Sequence, residues 1–331
     1  MKNPHPRARR LLCGLLGGLA LTTLASGAGA QASYPDRPIR LVVGGPAGGA
    51  VDLSARHLGE RLSALLGQPV LVDNKPGAAG VLGVQDLLKS PRDGYTFMVN
   101  LGGVASEIPH VVKLPFDPLK ILRPLVEIGR GGLVLVTNGQ TGASDLNSFI
   151  AYAKAHKGKV NYGSYSPGTV SHTLGLEFNK LMGLDMVHVG YRGSPLVLQD
   201  LMGGSVQAAF DGAGNVAPHL KGGKLKALAT TAPQRLALLP DVPTFAELGF
   251  KDLTEVVWIG LWTTPDLPQP LQSKVRDATL KALQDPKLRE GLAHLGMAPG
   301  SNASPEELLA GLRSASERHA ATLQSVGFKP E

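Results

Sequence analysis

One turn near the start of the chain combines glycines, a proline and an aspartate in a pattern that could hold an anion. Residues 41–56 read LVVGGPAGGAVDLSAR, an apolar run, a glycine-rich turn and an amphipathic run. Glycine lets the backbone approach a ligand closely, and amides that precede a helix bind carboxylates and phosphates. We therefore predict an anion site formed by Gly44, Gly45, Pro46, Ala47, Gly48, Gly49 and Asp52. A glycine-rich connector without any ligand would have the same sequence.

A second stretch repeats this arrangement. Residues 161–172 read NYGSYSPGTVSH, in which a short strand leads through a polar loop to a helix. Hydroxyl groups in the loop can hydrogen-bond the oxygens of an anion directly or through water, although ordinary capping and turn chemistry would also explain them. The candidate binding residues here are Ser164, Tyr165, Ser166, Gly168, Thr169 and His172.

Asp211 is a further candidate, because it follows the apolar residues AAF at the end of a predicted strand. Folds with parallel strands place functional residues at such carboxyl ends. An equally simple interpretation is that Asp211 caps the turn before Val216.

Two enzyme classes have partial signals. A dinucleotide-binding fold would explain Asp73 at the end of the second strand, but the turn lacks the G-x-G-x-x-G spacing. A serine hydrolase would use SYSPG as its nucleophile turn, with Ser166 as nucleophile and His172 nearby. Pro167, however, removes the backbone N–H that such a turn contributes to the oxyanion hole.

Metal and cofactor chemistry has no support in the spacing. The histidines form neither H-E-x-x-H nor another short ligand pair, and no close carboxylate pair indicates acid–base catalysis. The only cysteine is Cys13. We therefore predict no catalytic residue, no metal and no cofactor.

Apolar runs of strand length alternate with amphipathic runs of helix length. This alternation predicts an α/β fold of mostly parallel sheets flanked by helices. The predicted strands cover residues 39–43, 69–73, 96–100, 133–137, 160–164, 186–191, 208–212, 225–231 and 256–264. Predicted helix caps are Asp52, Ser144, Asp285 and Ser304, the last followed by Pro305 and a capping-box Glu307.

Residues 1–30 have the pattern of an export signal: a basic start, an apolar run and a small-residue cleavage site at 28–30. This segment contains four of the 33 Lys and Arg side chains and no acid, which leaves 29 basic against 26 acidic side chains. The near balance removes the main support for a nucleic-acid partner. We predict a periplasmic protein that has lost its signal.

Several motifs, taken together, resemble one family, the Bug-type periplasmic solute-binding proteins of tripartite tricarboxylate transporters. The motifs include YPDRPIRLVV, VLVDNKPGAAG, YRGSPLVLQDLMGG and LPDVPTFAELGF, and they extend over the whole mature chain in the expected order. The resemblance implies a two-lobed periplasmic-binding fold of type II-like topology that closes over a small ligand. With the crossings placed near residue 137 and residues 251–255, the first lobe would contain residues 31–137 and 252–331, and the second 138–251.

The resemblance also implies what is bound and by which residues. The ligand would be a dicarboxylate, a tricarboxylate, an acidic amino acid or an aromatic acid, delivered by a monomeric protein to a membrane permease; a sensor that presents its closed form to a receptor is the alternative. The family pattern is matched in the first turn at Gly48, Gly49 and Asp52, and in the second lobe at Ser164, Gly168, Thr169 and Asp211. Departures at Gly44, Gly45, Ala47, Tyr165, Ser166 and Gly190 leave the identity of the ligand open.

Overall fold

The computed structural model describes residues 34–330, so the predicted export signal lies outside the described residues. This part of the chain contains eleven strands: β1 (Ile39–Val43), β2 (Val70–Asn74), β3 (Thr96–Leu101), β4 (Arg123–Gly131), β5 (Leu133–Asn138), β6 (Asn161–Ser164), β7 (Val187–Gly190), β8 (Ala208–Gly212), β9 (Leu225–Thr230), β10 (Val257–Thr263) and β11 (Ala298–Pro299). All nine predicted strands are present. The sequence analysis missed β4 and β11.

Eleven α-helices accompany these strands within residues 34–330. They are α1 (Ala50–Leu66), α2 (Val81–Lys89), α3 (Gly103–Ser106), α4 (Pro118–Ile121), α5 (Leu146–Ala155), α6 (Val170–Met182), α7 (Ser194–Gly203), α8 (Ala213–Val216), α9 (Gln269–Ala282), α10 (Pro286–His294) and α11 (Pro305–Ser325). Among residues 34–330, no helix combines the length and the hydropathy of a membrane-spanning segment.

The helix caps agree with the sequence at two positions and differ at two. Ser304 and Glu307 form the predicted capping box, and Asp285 accepts hydrogen bonds from the first turn of α10. The cap of α5 is Asp145 rather than Ser144, and the cap of α1 is Gly49 rather than Asp52. Asp52 lies in the first turn of α1, and its carboxylate accepts a hydrogen bond from Gly48 N of the preceding loop.

The strands form two sheets. The first has the order β11-β4-β10-β3-β1-β2 and the second the order β7-β6-β8-β5-β9. We call the first sheet with α1–α4 and α9–α11 the first lobe, and the second sheet with α5–α8 the second lobe. The α/β class and the two-lobed architecture are therefore confirmed.

Strand direction differs from the expectation of mostly parallel sheets. Four neighbouring pairs are parallel and five are antiparallel, so both sheets are mixed. Four of the five antiparallel pairs are those of β5 and β10 and follow from the crossing of the chain between the lobes, and the fifth joins the short β11 to β4. Strands β5 and β10 each enter a sheet from the other lobe, at the edge where the parallel strands end. Each must therefore run against its neighbours, which a pattern of single strands does not reveal.

The predicted lobe boundary at residue 137 falls inside a strand of the second sheet. All pairings of β5 are with β8 and β9, so the first crossing precedes Leu133. On the return, Leu253 packs in the core of the second lobe and β10 begins at Val257. We propose residues 34–131 and 255–330 for the first lobe and 133–254 for the second.

Each sheet is covered on both faces. In β1, Leu41 and Val43 pack into one core with Leu58 of α1, while Val42 faces the opposite core with Leu312 of α11. The second sheet separates one core built with α5 and α6 from another built with α7. This layered arrangement fixes the position of the strand ends, from which the loops of the candidate site extend.

Candidate functional site

The topology brings the two predicted loops to the junction of the lobes. Strand β4 ends at Gly131 and β5 begins at Leu133, so the carboxyl end of β4 lies at the first crossing. Strands β1 and β3 run in the direction of β4, and β6 and β8 run toward the start of β5. The loops that follow β1 and β6 therefore leave their sheets at the edge that faces the other lobe.

The first loop, residues 44–49, is held by short backbone contacts and is exposed at its tip. Gly49 N–H donates to the Pro46 carbonyl oxygen at 3.2 Å, and Gly48 has a φ of +78°, a conformation that favours glycine. Pro46, Ala47 and Gly48 are exposed, whereas Gly44 is buried against the sheet. A ligand can thus reach the tip of the loop.

Asp52 shapes this loop from inside α1. Its carboxylate is 1% exposed and accepts hydrogen bonds from Gly48 N (2.8 Å), Arg56 Nε (2.9 Å) and Asn74 Nδ2 (3.0 Å). Burial alone would raise the pKa of Asp52, but these donors outweigh it and lower the pKa. Because both oxygens accept hydrogen bonds within the protein, Asp52 holds the loop in place.

The start of α1 has amides that the protein itself does not use. Among the hydrogen bonds of residues 34–330, none has the amide of Ala50 or Val51 as donor, and the cap Gly49 has no side chain to accept one. Such amides at a helix N-terminus favour a bound anion. Arg56, which the sequence analysis missed although it is four residues from Asp52, is paired with that aspartate.

The second loop is stabilised by histidines. Ser164 is fully buried and lies 2.7 Å from His188 Nε2, and Gly168 N–H donates to His172 Nδ1 at 2.9 Å. The rings of His172 and His188 stack with their centroids 3.7 Å apart. Thr169 Oγ1 donates to the Ser166 carbonyl oxygen at 2.7 Å. The loop is therefore preformed.

These histidines are uncharged at neutral pH. Burial, together with the neighbouring His188 and His319, lowers the pKa of His172 to about 3, and burial lowers that of His188 to about 4. A hydrolytic pair is not favoured, because His172 Nδ1 is engaged by Gly168 and the serine beside His188, Ser164, is wholly buried.

The start of α6, unlike that of α1, is filled by side chains of the protein. Glu107, in the first lobe, accepts a hydrogen bond at Oε2 from Val170 N of the second lobe at 2.9 Å. Burial and the Glu255 carboxylate raise the pKa of Glu107 to about 7, and the Val170 amide opposes that rise. The sequence analysis missed Glu107, because nothing in its neighbourhood distinguishes it from a surface acid.

Asp211 lies beside the second loop, at the end of β8. Its Oδ1 accepts from Ser194 Oγ (2.9 Å), Gly212 N (2.7 Å) and Asn215 Nδ2 (2.9 Å). Its Oδ2 is buried and has no hydrogen-bond partner, and burial raises the pKa of the carboxyl. The turn-capping interpretation of Asp211 thus accounts for Oδ1. It does not account for Oδ2, which has no donor.

Tyr165 connects these two carboxyl groups. Its pKa is raised well above the usual value by burial and by the nearby carboxylates of Glu107 and Asp211, while the Thr169 side chain and the Ser171 amide lie close enough to oppose the shift. Its ring packs against both cores of the second lobe. The second loop, Asp211 and Glu107 therefore form one neighbourhood.

Contacts between the lobes pass beside the second loop and along α6. His319 of α11 contacts the Gly168 carbonyl oxygen through Nε2, and Thr322 Oγ1 donates to Glu177 Oε1 at 2.8 Å. A cavity of about 790 Å³ lies next to these contacts, lined by parts of α3, α6, α11 and residues 252–258. No cluster of His, Cys, Asp and Glu suited to a metal ion occurs among residues 34–330.

Comparison with protein families decides the relationship of the chain. Residues 54–327 match the family described as "Tripartite tricarboxylate transporter family receptor". The chain belongs to this receptor family. The match covers most of both lobes, including all of the second loop and the residues from Ser54 onward in α1.

Relatives of this receptor-family chain have been described from sequence and structure. It is 35% identical over 299 residues to a Cupriavidus necator protein described as a UPF0065 protein in the gbd 5' region, covering 90% of each chain. It is similar to the periplasmic binding protein BugD, with 28% identity, a TM-score of 0.79 and coverage of 90% and 100%. It is also similar to an R. palustris protein solved with adipate, with 26% identity, a TM-score of 0.82 and coverage of 90% and 100%. The resemblance to Bug-type proteins is confirmed.

Proposed function

We propose that this receptor-family protein is exported to the periplasm, captures a small carboxylate between its two lobes and delivers it to a tripartite tricarboxylate transporter permease. The observation that carries the proposal is the start of α1, where unused amides follow a glycine turn held by Asp52. The family match and the adipate-bound relative support it. The basic start and the apolar run in residues 1–30 support export.

The binding residues proposed are those of the two loops. The first loop, residues 44–49, and the amides of Ala50 and Val51 hold the carboxylate, with Asp52 as the positioning residue. The second loop, residues 164–169, with His172 and Asp211, forms the opposite wall. No bond of the ligand needs to be broken, because capture requires only that the ligand bind the closed arrangement more tightly than the open one.

A proline substitution tests the amide site without disturbing the helix. Ala50 is the first residue of α1, where proline is favoured, and the preceding Gly49 has φ −78° and ψ 167°, a conformation that proline accepts in its neighbour. Ala50→Pro removes one N–H donor. Because a hydrogen bond to a charged group contributes about 1.5–3 kcal/mol, we expect carboxylate affinity to fall roughly tenfold or more.

The measurement is isothermal titration of the protein starting at residue 31 with di- and tricarboxylates, acidic amino acids and aromatic acids. Ala50→Gly is the matched control, since it retains the amide and changes only the side chain. Both variants should unfold near the wild-type temperature without ligand. Equal affinity of Ala50→Pro and Ala50→Gly for a carboxylate would show that the start of α1 is not the site.

A further inference from the structure

We propose that the ligand presents one carboxylate to the first lobe and an uncharged or cationic hydrogen-bond donor to the second, and that Glu107 and Asp211 set this specificity. The inference rests on the proposed function and narrows the class of ligand to hydroxy or amino monocarboxylates. A second carboxylate on the ligand would be selected against.

The first amide of α6 is already bound by a carboxylate of the protein. The amide of Val170, in the first turn of α6, donates to Glu107 at 2.9 Å, and the amide of Gly168 donates to His172 at 2.9 Å. A ligand carboxylate that approached α6 would have to displace a carboxylate of the protein, whereas the start of α1 is open to it.

The charges around the second loop also disfavour a second carboxylate on the ligand. Glu107 and Asp211 both act on Tyr165, and neither forms an ion pair among the salt bridges of residues 34–330. The second loop, residues 164–169, contains no Lys or Arg, and the adjoining His172 and His188 are neutral. A second anion would meet two carboxylates without a compensating cation, in surroundings that screen charge poorly.

One oxygen of Asp211 lacks a hydrogen-bond donor. Three donors surround Oδ1 of Asp211, and none reaches Oδ2, although the residue is 1% exposed. Buried carboxylate oxygens are normally paired, and one without a partner marks a position where a missing donor belongs. A ligand hydroxyl or ammonium group supplies such a donor, and a ligand carboxylate cannot.

Three matched ligand series test the proposal on the wild-type protein at pH 8. Each series contains a dicarboxylate and two monocarboxylates of the same length, one ending in a hydroxyl and one in an ammonium group. The series are succinate, 4-hydroxybutyrate and 4-aminobutyrate; adipate, 6-hydroxyhexanoate and 6-aminohexanoate; and terephthalate, 4-(hydroxymethyl)benzoate and 4-(aminomethyl)benzoate. In the series that binds, the dissociation constant of the dicarboxylate should exceed that of the better monocarboxylate at least tenfold.

The comparison within a series also identifies the donor. Tighter binding of the hydroxyl member would assign the cargo to hydroxy acids, and tighter binding of the ammonium member would assign it to amino acids. Glu107→Gln should then reduce the preference against the dicarboxylate several-fold, because the amide oxygen can still accept from Val170 while the charge is gone. Glu290→Gln removes an exposed glutamate of α10 and should leave the preference unchanged.

The outcomes separate the inference from the proposed function. A dicarboxylate that binds as tightly as its monocarboxylate partners in the wild type overturns the inference and leaves carboxylate capture intact. A preference against the dicarboxylate that is equal in the wild type and in Glu107→Gln also overturns the inference and leaves carboxylate capture intact. Failure of all nine acids to bind folded protein, together with failure of the wider acid panel, overturns both.

Discussion

At the scale of single residues, a buried carboxylate and a half-buried one behave in opposite ways. Asp52 is surrounded by donors, so its pKa is lowered and it remains charged while it orders the first loop. Glu107 has one amide donor and a carboxylate neighbour, Glu255, so its pKa is raised to about 7. The first is a fixed structural charge, and the second changes its protonation in the physiological range.

The raised pKa of Glu107 predicts a pH dependence of stability. A carboxyl whose pKa is higher in the folded than in the unfolded protein stabilises the fold when protonated, and that contribution is lost as the pH rises from about 4.5 through about 7. We therefore expect the melting temperature of the wild type to fall relative to that of Glu107→Gln between pH 5 and pH 8. Differential scanning calorimetry of both proteins across this range measures the difference.

Two other glutamates contribute to the absolute curves, because burial also raises the pKa values of Glu177 and Glu255. Glu255 enters the difference as well, since its carboxylate acts on Glu107. Glu290→Gln controls for the general loss of a negative charge. Parallel curves for the wild type and Glu107→Gln would mean that Glu107 is not buried against α6 in solution.

At the scale of secondary structure, the sequence predicts short segments rich in apolar and β-branched residues that lie between runs of helix length. The nine predicted strands are of this kind. Strand β4 was missed because Pro124, Glu127 and Arg130 break its pattern. Glu127 is nonetheless 1% exposed, since Ser301 N donates to it at 2.9 Å and Arg130 Nε pairs with it at 2.9 Å. A partner 174 positions away cannot be inferred from local sequence.

In the candidate site, too, features with local sequence signals were predicted and long-range contacts were missed. Both loops could be predicted, because glycines, hydroxyls and helix starts are local signals. The contacts that fill the start of α6 could not, because Glu107, His188 and His319 reach the second loop from three other elements. Long-range contacts of this kind determine which helix start is open to a ligand.

The second loop packs against the first lobe at Gly168. We therefore predict that the effect of a substitution at Gly168 depends on the residue that it contacts in the first lobe. Gly168 has a φ of +76°, and a Cβ there would lie 2.1 Å from Val111 Cγ2 in the first lobe. Gly168→Ala should therefore destabilise the protein by about 2–3 kcal/mol, about 1 of it from the backbone conformation and the rest from overpacking. Denaturant unfolding measures the change.

A second substitution separates the two contributions. In a Val111→Ala background the two methyl groups are gone and only Cβ, at 2.8 Å, still touches the new side chain, so Gly168→Ala should cost less than in the wild type, about 1–2 kcal/mol. Equal costs of Gly168→Ala in both backgrounds would show that Val111 and Gly168 do not touch in solution, and would argue for a wider separation of the lobes.

At the scale of the whole molecule, one residue connects both chain crossings. Thr231 Oγ1 accepts from Leu133 N at 2.9 Å and donates to the Glu255 carbonyl oxygen at 2.9 Å. Its backbone N–H donates to the Leu133 carbonyl oxygen at 2.8 Å, and its carbonyl accepts from Glu255 N at 2.9 Å. The entry to the second lobe and the return from it are therefore joined at a single threonine, and we predict that the lobes move about this point.

Replacement of that hydroxyl should change how the lobes move. Thr231→Val retains the shape, removes both side-chain hydrogen bonds and should cost about 1–3 kcal/mol. Thr137→Val is the control, since Thr137 is equally buried and its hydroxyl donates to the Gln207 carbonyl oxygen at 2.7 Å within the second lobe.

Small-angle scattering should show a larger radius of gyration for unliganded Thr231→Val than for wild type or Thr137→Val. Its carboxylate affinity should fall about three- to tenfold, because a more populated open state reduces the apparent affinity. If both variants lose stability and neither changes the radius of gyration, Thr231 stabilises the fold without controlling the hinge, and the flexibility on which capture depends must lie elsewhere in the two crossings.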